Sequence, residues 1–301
     1  MQETKELNAL LSLIDDPDTE VYESVSGKLM DYGKPIIPNL EHLWENQPDE
    51  KVQERIEYII KRLQLAELSN DFKNWKESGC KDLLEGAFLV AKYNQPDLCY
   101  ETLTESIESL KKNIWLELNS YLTPLEQAKV MKNILYHFFG FRGALPGTGQ
   151  TDDFFLNKVI HRKQGNSLSI GIIYHALCKQ LNIESSLICF PNIFMLAFYS
   201  SGLLFDPQYP AIRESIQFFV DPLTGKPFTQ YDIDVYFERI KKEPIDRYFI
   251  PLSNEEIIQH LLQETARFYR EEKNDEVKSS ELLLLAELLV DKDKKIKNNL
   301  S

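Results

Sequence analysis

One uninterrupted stretch, residues 165–198, constrains the fold of this chain more than any other: "GNSLSIGIIYHALCKQLNIESSLICFPNIFMLAF". Its first half predicts an amphipathic helix from about 167 to 181, because apolar side chains recur at helical spacing on one side. Those side chains are Ile170, Ile173, Tyr174, Leu177 and Leu181. Its second half contains two runs rich in β-branched and aromatic residues, "ESSLICF" and "IFMLAFY", which predict strands.

The rest of the chain surrounds this stretch mainly with helices. Up to about residue 135 the apolar periodicity is helical, "SIQFFVDP" is a further strand candidate, and two amphipathic helices follow after about 243. Capping-box patterns at Thr123 with Glu126 and at Ser253 with Glu256 predict where the helices in "PLEQAKVMKNILYHFF" and "SNEEIIQHLLQETARFYREEKN" begin. This order predicts an α+β fold with an antiparallel sheet. We expect three parts: a helical region at 1–100, a mixed domain at 101–242 and a C-terminal helical hairpin at 243–301.

The N-terminal helices follow a repeating pattern. "VYESVSGKLMDYG" and "QPDEKVQERIEYIIKRLQ" each place apolar residues on one side of a helix that follows a turn containing Asp and Pro. This arrangement resembles HEAT-type helical repeats, of which about one and a half are visible, and a plain helical bundle fits equally well. A repeat fragment would mainly offer a surface for binding another protein.

Charge and composition narrow the function classes. A net charge of −13 predicts a surface that repels nucleic acid and anionic membranes, so neither is expected as a partner. No apolar run reaches the roughly 18 residues of a transmembrane helix, and the N-terminus lacks the pattern of a secretory signal. We therefore expect a cytoplasmic protein.

No metal or other cofactor is expected from the sequence. The four cysteines show neither CxxC spacing nor a disulfide pattern; they are Cys80, Cys99, Cys178 and Cys189. The acidic pairs in "DDPD" and "TDD" lack the spacing of a calcium-binding loop, so capping of helices or solvent exposure is the interpretation.

Four segments between about 135 and 235 carry a family resemblance. They are "YHFFGFRG" at 136–143, "DDFFLNKVIHRKQGNSLSIGIIYHALCKQLNI" at 152–183, "CFPNIFMLAF" at 189–198 and "VDPLTGKPFT" at 220–229. In this order they resemble the transglutaminase-like superfamily, and within it the bacterial SirB-type branch. The resemblance implies a papain-like core, in which a helix packs against an antiparallel sheet, with helical segments on both sides.

The same resemblance implies where a catalytic triad would lie. Members of the wider superfamily use a cysteine at the helix N-terminus, a histidine on the next strand and an Asp or Asn on the strand after it. The matching positions here are Ser167 (with Ser169 as its neighbour), Ile193, and Asp221 or its competitor Asp206. Isoleucine cannot transfer a proton, and serine is a poor nucleophile without a base, so two of the three roles are absent.

Other residues could in principle supply the missing chemistry. Cys178 and Cys189 are interpreted as packing residues, because neither lies at the positive end of the helix dipole. His137, His161 and His175 are interpreted as packing, surface or helix-end residues. No nucleophile with its base is therefore visible in the sequence.

The leading functional hypothesis is a non-catalytic transglutaminase-like protein that acts as a protein- or peptide-interaction module. Its remaining groove would use polar residues such as Ser169, Asn192 and Asp206, and its acidic helical surface would favour a basic protein partner. Two alternatives stay open. One is an atypical hydrolase or acyltransferase that uses Ser167 or a relocated cysteine; the other is a purely structural core with a binding surface on the helical repeats.

Overall fold

The computed structural model describes residues 2–144, 149–199 and 212–290. The chain divides into two compact units, Met1–Asn74 and Trp75–Ser301. The α-helices are α1 Gln2–Leu11, α2 Thr19–Tyr32, α3 Ile37–Asn46, α4 Glu50–Glu77, α5 Leu83–Asn94, α6 Tyr100–Glu117, α7 Pro124–Lys132, α8 Leu156–Arg162, α9 Ser167–Gln180, α10 Ile212–Ser215, α11 Gln230–Arg239, α12 Asn254–Lys273 and α13 Glu276–Leu288. Short 3-10 helices cover Lys34–Ile36, Thr151–Asp153 and Asp246–Phe249.

The strands form two separate pairings. β1 (Arg142–Gly143) and β2 (Gln164–Gly165) make a short parallel pair just before α9. β3 (Ser185–Phe190), β4 (Ile193–Tyr199), β5 (Ile216–Val220) and β6 (Pro227–Phe228) form an antiparallel sheet in the order β3-β4-β5-β6. The predicted α+β class, with an antiparallel sheet beside a buried helix, is confirmed.

The unit Met1–Asn74 is entirely helical among its described residues. Asp18 caps α2 by accepting a hydrogen bond from the backbone N–H of Glu20 at 2.8 Å, and Gly33 ends that helix with a φ of 70°. The apolar sides of the helices meet in a core that includes Leu29, Leu40 and Ile56, all fully buried. The HEAT-like interpretation of this region stays a prediction.

The sheet of the second unit is covered on both faces. Leu187 and Phe198 point toward α9: a Cβ at Gly171 of α9 would lie 2.8 Å from Leu187 Cδ1, and Tyr174 meets the Phe198 ring edge-on at 6.3 Å. We call this side the α9 face. Because side chains alternate along a strand, the intervening residues point to the opposite side.

The opposite side, here called the α11 face, carries an aromatic cluster. Phe190 and Phe219 of the sheet contact Phe237 of α11 and Phe249 of the 3-10 helix Asp246–Phe249, and all four are buried. The sheet is therefore a central layer between α9 on one face and α11 with the 3-10 helix on the other.

The C-terminal helical hairpin is confirmed. Ser253 and Glu256 form the predicted capping box at the start of α12, and Asn274 ends that helix with a left-handed φ of 51°. α12 packs along α13 and also against α5, whose Leu83–Ala91 segment is almost wholly buried. The predicted domain boundaries near residues 100 and 242 stay predictions.

The segment "PLEQAKVMKNILYHFF" corrects one detail of the helix prediction. It begins at the predicted Thr123–Glu126 capping box, but it changes from α-helix to π-helix at Asn133–Phe138. The π-helix places Tyr136 against the turn after β5, where its hydroxyl donates a hydrogen bond to the Pro222 carbonyl at 2.5 Å. Apolar periodicity alone does not distinguish the two kinds of helix here.

Candidate functional site

The N-terminus of α9 is held by a reciprocal cap. The Asn166 side chain accepts a hydrogen bond from the Ser169 N–H at 2.8 Å, and Ser169 Oγ accepts one from the Asn166 N–H at 3.1 Å. Ser169 is fully buried, and its hydroxyl donates to the Asp153 carbonyl at 2.7 Å. The hydroxyl proton of Ser169 therefore serves the fold rather than a ligand.

Ser167 is the first residue of α9 and is half-buried. Within the described part of the chain, its hydroxyl forms no hydrogen bond, so no side chain is placed to accept its proton. The buried His175 lies on the same helix, about 12 Å further along the axis at 1.5 Å per residue. A serine without a base in reach is a weak nucleophile.

Gly165 leaves no room for a side chain beside this cap. A Cβ at that position would lie 2.6 Å from Ser169 Oγ and 2.9 Å from Val159 Cγ1. Gly165→Ala should therefore cost about 2 kcal/mol in the free energy of unfolding, measured by urea denaturation. Gly149→Ala is the control, because a Cβ there meets the Phe268 ring at an ordinary 3.5 Å. Equal effects of the two substitutions would contradict this packing argument.

The position predicted for the histidine points away from α9. Ile193 pairs with Phe190 across a two-residue turn, Pro191–Asn192, in which Asn192 takes a left-handed φ of 69°. Ile193 packs against the aromatic cluster of the α11 face. The side chain at position 193 and the N-terminus of α9 are thus on opposite faces of the sheet. Asn192 itself is exposed at the turn.

Asp221 follows β5 and is engaged in its own turn. Its carboxylate accepts hydrogen bonds from the Leu223 N–H at 2.9 Å and from the Thr224 hydroxyl at 2.7 Å. The following residues reach the helix end through Gly143, whose N–H donates to the Leu223 carbonyl at 3.1 Å beside Gly165. Among the described residues, no imidazole is hydrogen-bonded to Ser167 or to Asp221. Asp206 lies outside the described residues.

An ion pair between the buried Asp153 and the partly exposed Arg162 lies beside the α9 N-terminus. Asp153 is 1% exposed, and its carboxylate accepts hydrogen bonds from Arg162 at 3.2 Å and from the Gln150 N–H at 2.8 Å. Capping was expected for the "TDD" segment, and the full burial of Asp153 was not. Sequence periodicity does not reveal the pairing of Asp153 with Arg162, because Thr151–Asp153 is a single 3-10 turn. Its contact with α9 is the hydrogen bond from the Ser169 hydroxyl to the Asp153 carbonyl.

The thiols near the sheet are not activated. Burial raises the pKa of Cys178 to about 12, and burial together with the Glu264 carboxylate raises the pKa of Cys189 to about 11. Cys178 is fully buried and Cys189 is half-buried. At neutral pH both are thiols rather than thiolates, which removes their nucleophilic form.

An open pocket of about 540 Å³ lies at the end of β3. Its wall includes Cys189 and Asn192 from the β3–β4 hairpin, Arg247 from the 3-10 helix, and His260 from α12. His260 meets the Phe194 ring edge-on at 5.5 Å, and burial lowers the pKa of this histidine. Sequence reasoning missed the pocket because its wall joins the β3–β4 hairpin to segments more than 45 residues later in the chain.

Across residues 2–144, 149–199 and 212–290, no cluster of three His, Cys, Asp or Glu side chains could hold a metal ion. In the same ranges, no helix combines the length and the hydropathy that crossing a membrane requires.

The buried helix packed on an antiparallel sheet is the kind of core that the family resemblance implies. The family described as the transglutaminase-like superfamily matches residues 101–263, which is more than half of the chain. This chain belongs to the transglutaminase-like superfamily.

Among curated proteins, the chain is similar to UPF0162 proteins of Xylella fastidiosa strains Temecula1 and 9a5c, with 30% identity over 118 residues, 38% of this chain. That match spans 41% of the length of each relative. Protein SirB1 of Salmonella typhimurium is 21% identical over 211 residues, 67% of this chain and 72% of SirB1. The similarity to SirB1 confirms the resemblance to the SirB-type branch. No solved structure matches.

Proposed function

We propose that this chain is a non-catalytic transglutaminase-like protein that acts as a protein- or peptide-interaction module. The observation that carries the proposal is the arrangement at the three triad positions. Ser167 has no base in reach among the described residues, Ile193 faces the opposite side of the sheet, and Asp221 closes its own turn. Restoring proton transfer would need a new side chain and a different side-chain direction at position 193.

The loss of proton transfer leaves the scaffold intact. The α9 N-terminus keeps its cap through Asn166 and Ser169, and the turn after β5 keeps its contacts through Asp221. A chain that retains such a framework without its nucleophile and base is suited to binding rather than turnover. The four cysteines are free, which fits a reducing compartment, so we also propose a cytoplasmic location.

Chemical labelling tests this proposal against the alternative of an atypical hydrolase or acyltransferase. A fluorophosphonate probe, which reacts with activated serines, should leave Ser167 unlabelled in the native protein. Alkylation of Cys189 should be slow at neutral pH and should rise only as the pH approaches its pKa of about 11. The exposed Cys99 provides an internal comparison for reagent quality.

The labelled residues are read by mass spectrometry, with Ser167→Ala as the matched control for the serine probe. Labelling of Ser167 that disappears in this variant would contradict the proposal. So would Cys189 or Cys178 alkylation that titrates well below the ordinary thiol pKa of about 8.5. Either result would restore the enzymatic alternative and would direct attention to acyl-transfer substrates.

A further inference from the structure

The pocket at the end of β3 has the dimensions and the mixed lining of a ligand site. Its volume of about 540 Å³ falls within the 300–1,000 Å³ typical of such sites. Phe190, Pro191 and Tyr248 give it apolar and aromatic walls, while Asn192 and Gln259 bring amide groups to it. It lies within the second unit, and neither Ser167 nor Asp221 lines it.

The charges around this pocket are not balanced. Arg247 and Lys242 are exposed, and neither forms an ion pair with any residue in the described ranges. The acidic wall residue Glu256 is engaged in the capping box, where it accepts hydrogen bonds from the Ser253 N–H and hydroxyl at 2.8 and 3.0 Å. The lining therefore carries two cations and one carboxylate, a local excess of positive charge in a chain of net charge −13, and the Glu264 carboxylate lies near Cys189 in the wall.

Salt screening limits the distance over which the chain's negative charge acts on this pocket. At physiological salt the Debye length is about 8 Å, so distant acidic residues act weakly on a ligand inside the pocket. A carboxylate brought to the pocket would meet Arg247 and Lys242 at close range. His260, whose ring forms no hydrogen bond with any described residue, can add an N–H donor.

The backbone at the pocket can receive an extended chain. β3 is an edge strand, and its outward side is shown by the hydrogen bond from the Leu252 N–H to the Leu187 carbonyl at 2.9 Å. Backbone groups alternate in direction along an antiparallel strand, so those of Cys189, two residues further on, also point outward. Adding a peptide strand to such an edge is a common mode of recognition.

We propose that this pocket binds an acidic peptide in extended conformation, which pairs with the β3 edge at Cys189 and places a carboxylate between Arg247 and Lys242. This assignment names the ligand class of the interaction module proposed above, and it rests on that role. Charge complementarity selects an acidic segment over a basic or neutral one. The apolar walls select a peptide in which acidic and apolar side chains alternate, because successive side chains of a strand point to opposite sides.

The test uses the full chain and a fluorescently labelled hexapeptide of alternating valine and glutamate, with binding followed by fluorescence anisotropy. The same peptide with glutamine in place of glutamate is the neutral comparison. The double variant Arg247→Glu with Lys242→Glu should weaken binding of the acidic peptide by at least about tenfold, the effect of losing one charge-assisted hydrogen bond. The single variant Lys242→Glu should also weaken binding, and Lys241→Glu is its matched control, since it makes the same single charge reversal beside the pocket without lining it.

Hydrogen exchange locates the bound peptide. Binding should slow exchange in the segment 187–194 and leave helix α6 unchanged. Three results would overturn the proposal: no saturable binding of the acidic peptide, equal binding of the glutamine peptide, or equal weakening by Lys241→Glu and by Lys242→Glu. These results would overturn only the ligand class assigned to this pocket. The non-catalytic role is contradicted by a different result, which is labelling of Ser167 or alkylation of an activated thiol.

Discussion

Replacing Arg162 with methionine should lower the free energy of unfolding of the unit Trp75–Ser301 by about 3 kcal/mol. The arginine lies 3.2 Å from Asp153, whose side chain is 2% exposed, so removing it leaves a buried carboxylate without its cation. Methionine keeps much of the apolar stem of arginine, which isolates the loss of charge from the loss of packing. Urea denaturation followed by circular dichroism measures the change.

The matched control for this experiment is Arg270→Met in the same unit. Arg270 and its partner Glu271 are 48% and 56% exposed and 3.7 Å apart, so their pair should contribute less than about 1 kcal/mol. If both variants lost the same small amount, Asp153 would have to be solvated rather than buried. A large loss of unfolding free energy in Arg162→Met alone would show that the "TDD" segment stabilises the α9 N-terminus. The link between them is the hydrogen bond from the Ser169 hydroxyl to the Asp153 carbonyl.

The regular elements could be predicted because their signals are local. The helix predicted from about 167 to 181 is found as Ser167–Gln180, and the strand runs "ESSLICF" and "IFMLAFY" are found as β3 and β4. The capping boxes at Thr123 and Ser253 were visible as short sequence patterns. Each of these signals depends on residues within one or two turns of chain.

The direction of Ile193 could not be predicted in the same way. A shift of one residue in a strand moves every side chain to the other face, and the turn length decides the register. Here the two-residue turn at Pro191–Asn192 pairs Phe190 with Ile193 and sends both toward the α11 face. The family pattern therefore predicts the histidine place at position 193 without revealing which face of the sheet its side chain occupies.

The pocket beside β3 was missed for a different reason. Its wall joins the β3–β4 hairpin to the 247–252 segment and to α12, about 60 residues later in the chain. Arg247 and His260 carry no spacing signal that links them to Asn192. A site assembled by tertiary packing becomes visible only when the sheet order and the path of the chain along the β3 edge are known.

Acidification should destabilise the second unit through His175. The ring is 4% exposed and lies 3.4 Å from Ser185 Oγ, and burial, with a smaller contribution from Lys179, lowers its pKa to about 4. In the unfolded chain a histidine titrates near 6.5, so between about 6.5 and 4 the unfolded state binds the extra proton. Stability should therefore fall as the pH decreases through this window, by about 3 kcal/mol for this one group.

The contribution of His175 is isolated by comparison with His175→Asn, because carboxylates elsewhere titrate in the same window. Above pH 7 the variant should be less stable than the wild type, since it loses buried ring contacts. Toward pH 4 the difference should shrink by about 3 kcal/mol, because only the wild type carries a histidine that resists protonation. A wild-type advantage over His175→Asn that stays constant from pH 7 to pH 4 would mean that the His175 ring accepts its proton in the folded state as readily as in the unfolded one.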